Sequence, residues 1–182
     1  MTTAAEGPPE GFPEGPPEGA PEGPAAGPSA GAAQSVDFYV LASTDARERL
    51  RLACRLAEKA YLSSAHLLVW SDDAAELSAF DDLLWTFADR SFVPHEPYRD
   101  AEQWQEVPVL LSGPNDPAPD RPFSVLLNLG GVVPGCAGQA ERILEIIDAD
   151  ENRRQAGRAR FRSYRERGLA PQTHRINGEP SS

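Results

Sequence analysis

Short, almost wholly apolar runs constrain the possible folds of this chain more than any other feature of its sequence. Four such runs, rich in β-branched and aromatic residues and bounded by turn formers, predict strands: Val36 to Ala42, His66 to Trp70, Val107 to Ser112 and Ser124 to Gly130. A strand that is apolar throughout is typical of a parallel sheet covered on both faces. A further short segment, Ser91 to Tyr98, is extended because Pro94 and Pro97 interrupt any helix.

Helical patterns fill the intervals between the strands. Ser43 or Thr44 is predicted to cap the first helix, on which four arginines form a solvated face: Arg47, Arg49, Arg51 and Arg55. Asp72 or Asp73 caps a second helix. A third helix is predicted from Gly138 to Asp148, and a last one from Glu151 to Arg167, with Gly168 as its C′ residue. Strands alternating with helices predict an α/β fold, a three-layer sandwich with a mostly parallel sheet and nucleotide-binding-like topology.

The first residues have a different composition from the rest. Gly7 to Pro24 reads GPPEGFPEGPPEGAPEGP, which offers almost no apolar surface to offset the entropy of ordering. The sequence therefore predicts a disordered Pro/Glu/Gly-rich tail over 1–34, one α/β domain over 35–175 and a short flexible C-terminus over 176–182.

Residue usage argues against a metal site and against secretion. Cys54 and Cys136 lie far apart without a CxxC motif, and three scattered histidines add no ligand cluster. No apolar run reaches membrane-spanning length, and the N-terminus does not have the layout of a signal peptide. We expect a cytoplasmic protein with reduced cysteines, no cofactor and no membrane contact.

The best candidate for chemistry is the glycine-rich segment Asn128 to Gly138, NLGGVVPGCAG. Backbone N–H groups at such a turn can bind phosphate, but the spacing is not GxGxxG, and Pro134 removes one donor. A tight strand-to-helix turn explains the glycines, and nucleotide binding remains the alternative. The carboxylate pairs Asp72/Asp73 and Asp81/Asp82 diverge on a helix, so neither forms a catalytic dyad. We expect no enzymatic activity.

The last predicted helix carries the most informative pattern. Between Arg153 and Arg175 there are eight arginines and one acid, Glu166, in a chain of net charge −11. Arg154, Arg158 and Arg162 recur every four residues and so line one side of the helix. The simplest interpretation is a solubilising surface helix. Guanidinium groups beside Phe161 and Tyr164 also suit an acidic peptide with a hydrophobic end, and direct single-stranded DNA binding is the remaining alternative.

In their order, several segments resemble the chi subunit family of bacterial DNA polymerase III. They are DFYVLA, LLWTFADRSFVPHE, VPVLLS, VLLNLGGVVP and AGRARFRSYRERGLAPQTH, and together they extend over about residues 36 to 175. The resemblance implies a non-catalytic clamp-loader accessory protein. Such a protein links the psi subunit, or an equivalent clamp-loader component, to the C-terminal peptide of single-stranded DNA-binding protein, and meets DNA mainly indirectly.

By position, the resemblance also implies two sites. The partner peptide would bind Arg158, with Arg154, Phe161 and Arg162 around it and Ile147 at the apolar floor. The clamp-loader partner surface would include Trp85 and Phe92, for which burial in the core is the alternative.

Overall fold

A computed structural model describes residues 33–177 of the 182-residue chain. Nearly all of the predicted tail, and most of the predicted flexible C-terminus, lie outside the described residues. Within 33–177 the strands are β1 Ser35–Leu41, β2 Leu67–Trp70, β3 His95–Pro97, β4 Val109–Ser112, β5 Phe123–Asn128, β6 Ala140–Ile147 and β7 Gln172–Ile176. The α-helices are α1 Ala46–Leu62, α2 Ala74–Thr86 and α3 Glu151–Glu166. Two short 3₁₀ turns, Ala101–Gln105 and Gly135–Gln139, complete the elements.

The strands of the described region form one seven-stranded sheet in the order β3-β4-β2-β5-β6-β1-β7. Every pairing between them is parallel, which confirms the predicted α/β fold. From β2 the chain continues to the β3–β4 side of the sheet, whereas from β5 it continues to the β6 side. The carboxyl ends of β2 and β5 are therefore the topological switch point, where ligands bind in many α/β folds.

Each face of the sheet is covered by its own apolar cluster. On one face, side chains of α1 and α2 such as Leu56 and Phe80 pack against Leu67 and Val69 of β2. On the other face, Phe161 and Tyr164 of α3 join a cluster with Phe38, Leu68 and Trp104. The layers are thus helix, sheet and helix, as the sequence predicts. The strands β2, β4 and β5 are buried at every position, as expected for strands covered on both faces.

The predicted helix from Gly138 to Asp148 is wrong, because most of this segment is the strand β6. Ile143, Leu144, Ile146 and Ile147 are spaced in a way that suits either a helix face or a strand buried on both sides. The β-branched isoleucines favour the strand, and β6 pairs with β1 on one side and β5 on the other. The glycine-rich segment before it consequently connects two strands through a 3₁₀ turn and is not a strand-to-helix turn.

Details of α1 and of the C-terminus also differ from the predictions. The N-cap of α1 is Asp45, whose carboxylate accepts from Arg47 N at 2.8 Å, and not Ser43 or Thr44. Arg49 is 2 % exposed and does not lie on a solvated face. Its guanidinium pairs with Glu76 of α2 and donates to the Leu129 carbonyl. The strand β7, which adds an edge beside β1, is absent from the predictions.

Candidate functional site

The helix α3 is held firmly at both ends. Asp150 is its N-cap and accepts from Arg153 N at 3.0 Å. At the other end Gly168 has φ +82, a left-handed conformation that favours glycine and confirms its predicted role as C′. The Gly168 and Leu169 N–H groups donate to the carbonyls of Arg165 and Tyr164, at 2.9 and 3.1 Å. This arrangement is a Schellman motif, and it gives α3 a defined length and orientation.

The inner face of α3 consists of the buried residues Gly157, Arg160, Phe161 and Tyr164, spaced i, i+3, i+4 and i+7. Arg160 is 4 % exposed, and its Nε donates to Glu145 Oε2 at 2.9 Å. Glu145, on β6, has no exposed surface. Its other oxygen accepts from the Tyr164 hydroxyl at 2.8 Å and from Asn128 Nδ2 at 3.0 Å. Burial and the nearby Glu145 carboxylate raise the pKa of the Tyr164 phenol well above its usual value, so it remains a donor.

The outer face of α3 carries the three predicted arginines in a different environment. Arg162 is exposed, Arg154 is half-buried, and neither forms an ion pair with another described residue. Arg158 is also half-buried and lies 3.4 Å from Glu151 through one terminal nitrogen. Its Nε is shielded from solvent and donates to no acceptor in the described region. An external anion can therefore reach Arg158 only through its terminal nitrogens, one of which makes the long contact with Glu151.

The structure places the predicted apolar part of this site deeper than the arginines. Phe161 is 7 % exposed and its ring lies 5.2 Å from that of Phe38. Ile147 has no exposed surface and belongs to the same cluster. Phe161 therefore exposes only a small part of its side chain, and Ile147 has no direct access to solvent.

Trp85 and Phe92 lie together on the opposite layer of the molecule, Trp85 at the end of α2 and Phe92 in the loop shortly before β3. Trp85 is 49 % exposed and Phe92 is 63 % exposed, so the alternative in which they are core residues is wrong. Their rings lie 5.4 Å apart, and the Trp85 ring lies 4.4 Å from that of His95. His95 Nδ1 lies 2.7 Å from the Val93 carbonyl, and its Nε2 lies 3.2 Å from Asp81 without good hydrogen-bond geometry. The two exposed rings form a patch, the aromatic patch, backed by a buried imidazole.

The glycine-rich segment meets α2 at the switch point between β2 and β5. A cavity of about 190 Å³ lies there, and its charged lining comes from three arginines and three acids, Arg49, Arg153, Arg160, Asp72, Asp73 and Glu76. These charges satisfy one another or the backbone: Arg49 pairs with Glu76, and Asp72 accepts from Gly131 N at 2.9 Å. Arg153 donates to Asp148, which raises the pKa of Arg153.

Gly130 is required at this point by packing. A Cβ atom there would lie 2.5 Å from the Trp70 ring and 2.7 Å from an oxygen of Asp72. The glycine therefore reflects close contact within the protein and not the approach of a phosphate.

Residues that the sequence analysis did not single out organise this region. Arg160 and Glu145 form the buried pair beneath α3, and Asn128 joins them from β5. One signal in the sequence could have found Arg160, because it falls at helical spacing with Gly157, Phe161 and Tyr164 and so shares their buried face.

Metal and membrane features are limited within the described part of the chain. Residues 33–177 contain no group of three or more His, Cys, Asp or Glu side chains that could hold a metal ion. No helix among these residues is long and apolar enough to cross a membrane. Cys54 and Cys136 are free and buried, and burial raises the pKa of the Cys54 thiol to about 12.

Solved structures share the fold of this chain. The crystal structure of T4 UvsW matches 80 % of the chain with a TM-score of 0.55 at 10 % identity. The chain spans 42 % of the length of that UvsW chain. At this level of identity the likeness concerns the arrangement of strands and helices alone.

Sequence comparisons give a more specific result. The family profile of the DNA polymerase III chi subunit, HolC, matches residues 34–172. DNA polymerase III subunit chi of Pseudomonas aeruginosa is 39 % identical over 141 residues, which cover 78 % of this chain and 96 % of the relative. The chi subunits of Haemophilus influenzae and Escherichia coli are 24 % and 22 % identical and match 79 % and 75 % of this chain, and 99 % and 94 % of their own lengths. This chain therefore belongs to the DNA polymerase III chi subunit family, a family of replication accessory subunits.

Proposed function

We propose that this chain is a non-catalytic adaptor of the DNA polymerase III holoenzyme. In this role it links the clamp loader to the C-terminal peptide of single-stranded DNA-binding protein during replication. Family membership supports the setting in replication. One observation on the molecule carries the peptide half of the proposal: half-buried Arg158 lies between Arg154 and Arg162 on the outer face of α3, and the only described acid that pairs with any of the three is Glu151, 3.4 Å from Arg158.

The chemistry of that face suits the end of an acidic peptide. A terminal carboxylate can accept two parallel hydrogen bonds from one guanidinium, and the two terminal nitrogens of Arg158 provide such donors beside the long contact with Glu151. Arg154 and Arg162 lie one turn to either side and attract acidic side chains further along the peptide. The small exposed part of Phe161, above the buried cluster that contains Ile147, contacts the last apolar side chain of the peptide.

The peptide half is tested with a synthetic peptide that has several acidic residues and ends in Pro-Phe. We expect calorimetry to detect binding of this peptide to the full chain. The same peptide with an amidated C-terminus serves as control and should bind more weakly, because it cannot present a carboxylate to Arg158. Equal binding of both peptides, or none of either, would contradict the proposal.

Direct binding of single-stranded DNA through α3 is the second candidate, and the row of arginines favours it. The chain as a whole is acidic, with a net charge of −11, which opposes binding of a polyanion. A bare oligonucleotide titrated beside the peptide separates the two functions. Tight oligonucleotide binding with a steep dependence on salt would replace the peptide by DNA as the ligand of this face.

The clamp-loader half of the proposal assigns the partner surface to the aromatic patch, Trp85 and Phe92. Exposed aromatic rings in contact with each other are costly in water and are typical of protein interfaces. We expect Phe92→Ala to weaken association with the psi subunit, or its equivalent, by about 2 kcal/mol or more, as at interface hot spots.

The structure offers a matched control for this variant. Leu62 is 74 % exposed and lies at the end of α1, outside the patch. Leu62→Ala removes a similarly exposed apolar side chain and should leave the association unchanged. If Phe92→Ala binds the partner as well as the parent does, the partner surface lies elsewhere; peptide binding by both variants should stay normal.

A further inference from the structure

The N-terminal segment of this chain resembles, in charge, the peptide that α3 is proposed to bind. Residues 6–22 contain five glutamates, one every four residues, and no lysine or arginine. We call these residues the acidic segment. The outer face of α3 carries the opposite charge, at Arg154, Arg158 and Arg162. The chain therefore contains an anionic sequence without nearby basic residues and a cationic helix surface with few acidic residues beside it.

The chain leaves the described body close to α3. Gln34 is fixed on the α3 side of the sheet, where its amide donates to the carbonyls of Ala137 and Ala140 at 2.7 and 2.5 Å. Val36 and Phe38 follow on the same face and belong to the cluster under Phe161. Because α3 follows β6 and leads back to β7, which is parallel to β6, the end of α3 lies at the edge of the sheet where β1 begins.

The connecting residues are long enough for the acidic segment to reach the arginines. Glu22 precedes Gln34 by twelve residues, which extend to about 40 Å at roughly 3.3 Å per residue. The 16-residue helix α3 is about 24 Å long at 1.5 Å per residue. Arg154 and Arg162 are separated by two turns, about 12 Å.

We propose that the acidic segment binds the outer face of α3 within the same molecule and competes there with the partner peptide. The competition rests on the proposed function, whereas the contact itself does not. Single exposed ion pairs are weak. The short connection, however, holds the segment at a local concentration in the millimolar range, which compensates for low intrinsic affinity. While the acidic segment occupies the outer face of α3, it reduces binding of the partner peptide. A high local concentration of the partner peptide overcomes this competition.

The test compares the full chain with a full-length variant in which Glu6, Glu10, Glu14, Glu18 and Glu22 are all changed to Gln. We expect the variant to bind the acidic Pro-Phe peptide roughly three- to tenfold more tightly at low salt, and equally at about 0.3 M salt, where exposed ion pairs are screened. A control variant undergoes the same change in net charge at five exposed acids of the described region. These acids are changed to the corresponding amides: Asp82, Asp89, Glu102, Glu106 and Asp120. The peptide affinity of this control should rise less than twofold if the position of the removed acids, and not the net charge of the protein, determines the affinity.

A second measurement does not use the peptide. The Nε–Hε resonances of Arg154, Arg158 and Arg162 in nuclear magnetic resonance spectra should shift between the full chain and the Glu→Gln variant, and not in the charge control. If no peptide binds but these resonances shift, the proposed function fails and the contact stands. If the peptide binds both proteins equally and no resonance shifts, the contact is refuted and the function stands. A shift that disappears on dilution would assign the segment to a second copy and overturn the intramolecular contact.

Discussion

The inner and outer faces of α3 use arginine in opposite ways. Arg160 is 4 % exposed and its charge is neutralised by Glu145, which accepts further hydrogen bonds from Tyr164 and Asn128. Arg158, two residues earlier, has a single acidic partner among the described residues, Glu151, through a long contact of 3.4 Å. A buried charge requires a complete set of partners within the protein, whereas a charge at the surface is solvated by water and can bind an external partner. The same residue type is therefore structural on one side of the helix and available for binding on the other.

The cavity at the switch point extends this comparison. Three arginines line this cavity, a number that suits an anion-binding site. Arg49, Arg153 and Arg160 are, however, all paired with carboxylates of the protein. An anion entering there would have to displace Glu76, Asp148 or Glu145. On the outer face of α3, the only such pair among the described residues is the long contact of Arg158 with the exposed Glu151, at 3.4 Å. For this reason we place ligand recognition on the helix surface and not in the crevice where α/β folds commonly bind nucleotides.

The largest effect is expected on the inner face, where Arg160→Ala leaves Glu145 buried without its cation. We expect the free energy of unfolding to fall by about 3–5 kcal/mol, as when one partner of a buried ion pair is removed. Urea denaturation measures this change. Arg162→Ala, on the exposed side of the same helix, is the control and should change stability by no more than about 0.5 kcal/mol.

A double variant sharpens the assignment of this effect to Glu145. In a Glu145→Gln background the Arg160→Ala change should cost clearly less, because no buried negative charge remains to be compensated. If Arg160→Ala and Arg162→Ala destabilise the protein equally, the distinction between the two faces of α3 does not hold.

Much of this arrangement is predictable from the sequence, because the apolar character of a short run and the spacing of residues along it are local properties. A short apolar run such as Leu67–Trp70, bounded by turn formers, favours a strand covered on both sides. The cap of α2 at Asp72 or Asp73, of which the structure uses Asp73, and the C′ role of Gly168 follow from the chemistry of those residues. The four-residue spacing of Arg154, Arg158 and Arg162 likewise places them on one side of α3. These features require no knowledge of distant contacts.

The remaining features depend on partners far away in the sequence. Glu145 interrupts an apolar run, and this charged residue leads to the incorrect prediction of a helix. Its partners Arg160, Tyr164 and Asn128 are distant in the sequence, so the neighbouring residues do not indicate that Glu145 is buried. Arg49 has the appearance of a surface residue among other arginines, and only α2 supplies its partner Glu76. Trp85 and Phe92 are residue types typical of a core, and only the fold shows that both side chains are exposed.

A smaller effect, on binding and not on stability, is expected on the outer face. Arg158→Ala should weaken binding of the acidic Pro-Phe peptide by about 1.5–3 kcal/mol, the range for a hydrogen bond to a charged group. Calorimetric titration measures this loss, and the melting temperature should stay close to that of the parent. Amidation of the peptide should reproduce the loss in the parent and add little in the variant, because both changes remove the same contact. Unchanged affinity of Arg158→Ala would place the peptide site elsewhere.

The smallest effect is expected for Arg154→Ala, one turn from Arg158 towards the start of α3. Arg154 is half-buried and has no ion-pair partner in the described region, so its removal leaves no buried acid uncompensated. It attracts acidic side chains of the peptide through solvent, where pairs are typically worth about 0.2–1 kcal/mol. We expect the loss in peptide affinity to fall within this range at low salt and to vanish at about 0.3 M salt, since such charges are screened beyond several ångströms. The Arg158 effect should persist at both salt concentrations, because a direct charge-assisted hydrogen bond depends less on screening. Titrations of both variants across a salt series therefore separate contact from long-range attraction, and parallel salt dependences would show that the two arginines act alike.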